Sequence, residues 1–149
     1  MWKTRDTINP FELESLMASA SVPTLLAMLL CDSVIQDAAT TKKSLIGIFA
    51  QANAFGFPTA VNLSVFARLT DAEGKYRFRI DVVNLNENKT ILSLPPTNEL
   101  EAKDQLAFVD LVLQIQGLPI PSPGKYEFQL WGNDVYLGRT TLNAVLIRN

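Results

Sequence analysis

Apolar residues occupy every second position in successive runs of this chain, beginning with Leu63, Val65, Ala67 and Leu69, then Tyr76, Phe78, Ile80 and Val82. The pattern resumes at Val109, Leu111, Leu113 and Ile115, and again at Tyr126, Phe128 and Leu130. A side-chain period of two belongs to strands that bury one face and wet the other. Several such strands with turn residues between them specify an all-β sandwich. The strands are expected over residues 24–31, 44–52, 61–70, 75–84, 89–94, 105–116, 125–131 and 135–147, about eight in all. Gly47 inside the second suggests a bulge or a close approach by another backbone.

Residues 1–23 differ. Asn9 can cap a helix, Pro10 suits its first position and Glu12 can reach back. Phe11, Leu13, Leu16 and Met17 then make an apolar stripe at helical spacing. The expected organisation is a short helical arm over 1–23 and one sandwich domain over 24–149. The arm is too short to be stable alone, so it docks on its own sandwich or on another subunit.

Histidine is absent from the 149 residues. Imidazole is the usual general base near neutral pH and the commonest metal ligand. With one cysteine, Cys31, the chain also lacks the ligands of a Cys-rich zinc site and any intrachain disulfide. No metal, no cofactor and no enzymatic activity are expected, and the cysteine usage fits a reducing, cytoplasmic setting. A net charge of −2 gives no general pull toward nucleic acid. Residues 24–30 are apolar but too few to span a bilayer, and Asp6, Glu12 and Glu14 precede them where a signal peptide would be basic and then apolar.

If Asp71-Ala72-Glu73-Gly74 closes a symmetric hairpin, Arg68 lies opposite Arg77 and Phe66 opposite Arg79, all on the face away from the core. Like charges opposed on a sheet destabilise it, so the face is either relieved by neighbours such as Asp81 and Glu127 or held for an acidic partner or anionic ligand. Arginine beside an exposed aromatic is also the composition of an interface hot spot. Trp131 alternates with the core-facing set and should point outward with Lys125, Glu127 and Gln129. Asp32 and Asp37, with Asp104 or Asp110 nearby, are too few for a calcium loop, and Asp37 reads as a local turn cap. Lys42, Lys43 and Ser44 lack the glycine elbow of a serine nucleophile. Cys31 reads as a small apolar core residue.

The segment Cys31-Asp32-Ser33-Val34-Ile35-Gln36-Asp37, followed by Lys43-Ser44-Leu45-Ile46-Gly47-Ile48-Phe49, resembles the opening of a bacterial family of small β-sandwich proteins of unknown function. The run Pro123-Gly124-Lys125-Tyr126-Glu127-Phe128-Gln129-Leu130-Trp131 is similar to that family's last hairpin and to the closing hairpin of immunoglobulin-like domains. The resemblance implies a single immunoglobulin-like sandwich and no catalytic residues.

These readings converge on a non-catalytic interaction or structural protein whose expected partner is another protein or a second copy of itself. Its candidate interface residues are Phe66, Arg68, Arg77, Arg79 and Trp131, with the arm residues Phe11, Leu13, Leu16 and Met17. A small-ligand module, with carbohydrate on a Trp131 platform, is the alternative.

Overall fold

The computed structural model describes residues 20–148, so the expected helical arm, with Phe11, Leu13, Leu16 and Met17, lies outside the described residues. Eleven strands follow one another: β1 (Thr24–Gln36), β2 (Lys43–Ile48), β3 (Gln51–Ala54), β4 (Thr59–Thr70), β5 (Gly74–Tyr76), β6 (Phe78–Asn84), β7 (Lys89–Ser93), β8 (Leu100–Ala102), β9 (Val109–Ile120), β10 (Gly124–Gly132) and β11 (Val135–Leu146). One main sheet has the order β2-β1-β4-β9, the other β3-β11-β10-β6-β7, and β5 pairs with β8 apart from both. Among the described residues there is no helix.

The alternating residues do form the core. Leu63, Val65, Ala67 and Leu69 of β4, Phe78, Ile80 and Val82 of β6, and Tyr126, Phe128 and Leu130 of β10 are buried in one cluster with Leu30, Leu111, Ile115 and Leu142. Burying their apolar area, at about 25 cal/mol per Å², is the main force holding the two sheets together.

Expectations of three kinds need correction. Strand one continues to Gln36, the expected strand 105–116 lies instead at Val109–Ile120, and the strands expected over 44–52 and 75–84 are each cut in two, their halves joining different sheets. Gly47 sits at φ +68, with the Asp32 side chain where its Cβ would go, so the close approach is by a carboxylate rather than a backbone. The third correction is the largest. Residues 71–73 do not close a hairpin: β4 pairs with β1 and β9, whereas β6 pairs with β10 and β7. The chain crosses between sheets there, and Arg68 and Arg77 are not opposed.

A hydrogen-bonded corner explains the crossing. Ser21 Oγ donates to the Asp71 carbonyl at 2.8 Å. Tyr76 donates its hydroxyl proton to the Ser21 carbonyl at 2.7 Å and accepts from the Glu73 N–H at 2.9 Å. The Tyr76 ring stacks on Phe78, 5.6 Å away, at the entrance to the second sheet. Next to this corner, where Asn133 bonds the backbone of Lys75 and Arg77, β10 and β11 are joined by a true two-residue hairpin. Asn133 and Asp134 both take the left-handed conformation that such loops need, φ 48 and 62.

The β1–β2 hairpin has an unexpected course. Arg68 pairs with Ala27 on one side and Asp110 on the other, and β1 runs nine residues on from Ala27 before Gln36 pairs with Lys43. A straight strand would carry that tip roughly 30 Å away. Instead Lys43 Nζ lies 3.1 Å from Asp110 Oδ2. The hairpin therefore curls back toward β9, and the outward-facing Ser64 and Phe66 of β4 are buried.

Candidate functional site

Four of the five interface candidates divide between the two main sheets, Phe66 and Arg68 on the first, Arg79 and Trp131 on the second. On the outward side of the first, Arg68 donates from Nε to Asp110 Oδ1 at 2.8 Å and from Nη2 to Asp110 Oδ2 at 3.0 Å. Its guanidinium stands 5.2 Å from the centre of the Phe108 ring and 6.0 Å from that of Phe66, inside cation–π range. The Arg68 and Lys43 bonds hold the Asp110 carboxyl below its ordinary range, against a smaller opposing effect of burial. The same bidentate contact raises Arg68. Phe66 is 7% exposed and therefore not the free aromatic that alternation alone suggested; it forms the floor of this cluster. Its rim is apolar at Phe108, 58% exposed, and Val112, 43%; Leu106, two residues before Phe108 in the chain, is 88% exposed. Phe108 also lines a shallow cleft of about 510 Å³ with Leu100, Lys103 and Asp104.

On the outward side of the second sheet, Trp131 pairs with Arg79 on β6 and Tyr136 on β11. The Arg79 guanidinium lies 5.2 Å from the Trp131 ring centre, and Tyr136 meets the ring edge-on at 5.4 Å. Arg79 bonds Asp134 at 2.7 Å and Asp81 at 3.2 Å. Burial works against its charge, but these carboxylates outweigh it and the guanidinium is raised overall. Trp131 points outward as expected, yet it is only half-exposed because Arg79 and Tyr136 flank it. Its indole Nε1 is buried without a hydrogen-bond partner among the described residues. Below it runs a polar network in which Glu127, 5% exposed, accepts from Gln129 at 2.9 Å and Arg139 at 2.8 Å.

Arg77 stands between β5 and β6, its backbone bonded to Asn133, and it lines a small cleft with Arg79 and Asp134 at the margin of the second cluster. The single cationic face is therefore replaced by two arginines, each neutralised within its own sheet. Asp110 belongs to the first of these clusters and not to a calcium loop. Asp37 caps its turn, accepting from the Ala39 and Thr40 N–H groups at 2.8 and 2.9 Å, which lowers its carboxyl. Cys31 is buried, and desolvation followed by the charge of Asp32 raises its thiol, the opposite of what a reactive thiolate needs. Asp110, Phe108 and Lys43 are the cluster members that sequence reasoning did not assign to an interface. The only local signal was an aromatic and a carboxylate flanking the start of β9.

The model of a family of unknown function, DUF6941, matches residues 26–145. No curated protein matches. Among solved structures, the chain is similar to the Pseudomonas fluorescens alkylpurine DNA glycosylase AlkC bound to DNA containing an abasic site analog, at 14% identity and a TM-score of 0.42. That likeness covers 64% of this chain and 27% of the glycosylase chain, so this protein spans about a quarter of its length.

Proposed function

Since the chain belongs to that family of unknown function, we propose that it is a non-catalytic protein-interaction module that works by presenting the outward side of its first sheet. The observation that carries this reading is the exposed apolar pair Phe108 and Val112 beside a guanidinium already held by Asp110, with Leu106 exposed two residues before Phe108. Aromatic and arginine side chains in a partly desolvated cluster are what interface hot spots are made of, and contiguous exposed apolar surface marks binding sites. Because Arg68 and Arg79 are each paired with aspartates, the partner surface is apolar with polar edges rather than acidic.

The fold behind this reading is immunoglobulin-like. In support, β1, β4 and β9 are ordered as strands A, B and E, while β3, β11, β10, β6 and β7 are ordered as A′, G, F, C and C′. The A′-like β3 pairs parallel with β11. Tyr126, near the start of β10, donates to the Ser122 carbonyl at 2.6 Å, in the manner of a tyrosine corner. The free, buried Cys31 suits the reducing bacterial cytoplasm in which we place the protein.

Comparing crosslinked partners of the wild type with those of Phe108→Ala and Leu106→Ser tests the function. A partner lost with both variants, each still melting cooperatively, is the expected result. The outward-facing, partly exposed Trp131 ring favours the second reading, a carbohydrate-like ligand stacked on that ring. Glycan binding abolished by Trp131→Ala, with no protein partner sensitive to Phe108, would replace the first reading with the second.

A further inference from the structure

Every open sheet leaves edge strands whose outward N–H and C=O groups invite another chain, and stable monomers blunt them with short strands, lysine, proline or bulges. Three of the four edges here are blunted. β3 has four residues, β2 has six with left-handed Gly47 among them, and β7 begins at Lys89 and pairs through a bulge. The fourth, β9, is different. It has 12 residues, and from Val109 to Ile115 its pairing with β4 is regular. The stretch Val109-Asp110-Leu111-Val112-Leu113-Gln114-Ile115-Gln116 holds no lysine, arginine, proline or glycine. Among the described residues no strand pairs with its other side.

We propose that this edge of β9 is a self-association surface, on which β9 of a second copy adds antiparallel to join two four-stranded sheets into one. The inference rests on the interaction reading above and names its partner. Sequence self-complementarity selects a second copy. Two copies related by a two-fold axis normal to the sheet keep core-facing residues beside core-facing residues only when the axis passes through a residue position. With the axis at Val112, Asp110 meets Gln114; with the axis at Leu113, Asp110 meets Gln116 and Val112 meets Gln114. In neither register does a charge meet its like, and the sole charge of the stretch is already held by Arg68 and Lys43. The exposed Leu106 and Phe108, immediately before the strand, lie along the flank of the new pairing and lose water when it forms.

The test uses the full chain. Mass in solution by sedimentation should approach twice the monomer as concentration rises, and alternate amides within Val109–Gln116 should gain protection from hydrogen exchange over the same range. Val112→Lys and, separately, Gln114→Lys place a charge at outward-facing edge positions and should shift the equilibrium to monomer with the melting transition kept. A monomer at every concentration overturns the proposal. So does a dimer whose β9 exchange is unchanged and which both lysine variants leave intact. Either failure leaves the wider interaction reading standing, because the Phe108 partner experiment is scored separately. If a lysine variant fails to fold, exchange in the wild type decides.

Discussion

Lys43 at the tip of the β1–β2 hairpin and Arg68 near the end of β4 share one carboxylate, that of Asp110 on β9. One acid thus ties β2, at one edge of the first sheet, to β9 at its other edge. Replacing it isolates two cations at once. Asp110→Asn should cost about 1–2 kcal/mol, the value of a charge-assisted contact discounted for the exposure of Arg68. Lys43→Met should cost less, because the bidentate Arg68 contact survives it. Urea denaturation of the three proteins checks the order.

The same carboxylate sets an acid limit. Its folded value lies below the ordinary one of about 3.9, so its contribution is complete above that value and declines as pH falls through the lowered folded value. Stability should therefore fall more steeply in acid for the wild type than for Asp110→Asn. Melting temperatures recorded downward from neutral pH decide this; parallel curves would mean that Asp110 does not carry the effect.

Tyr126→Phe removes the hydroxyl that donates to the Ser122 carbonyl at 2.6 Å while keeping the buried ring. Losing this bond in the core should cost about 1–3 kcal/mol. The near-ultraviolet circular dichroism of the remaining aromatics should be preserved. A collapse of that signal would mean that the hydroxyl organises the core and not only the turn.

Gly47→Ala meets two obstacles, a φ of +68 and the Asp32 side chain. The backbone part is worth about 1–2 kcal/mol. Shortening Asp32 to Ser in the same background should recover only the steric part. Full recovery by that second change would show that the backbone is not strained there.

The strands could be read from the chain because alternation is a local property: Tyr126, Phe128 and Leu130 must share a face once the backbone is extended. What the loop after β4 does is not local. Asp71-Ala72-Glu73-Gly74 carries the same turn chemistry whether the chain returns beside itself or crosses to another sheet. The choice is made by Ser21, some 50 residues earlier in the chain. The Arg68 site was half visible for the same reason. Arg68 and Phe66 stand on one strand, but Asp110 is 42 residues away and joins them only through the β4–β9 register. β8 escaped notice because three residues are too few to show any period.

The corner at Ser21 also determines how the domain bears load. Ser21 bonds through both its hydroxyl and its carbonyl to residues 71–76, three residues before β1 begins at Thr24. A pull on the N-terminal segment, from a tether or a bound partner, is therefore delivered to the crossing between the sheets before it reaches β1. Tension there would loosen the turn that separates β4 from β6, so the strand that carries Arg68 and the strand that carries Arg79 would feel it together.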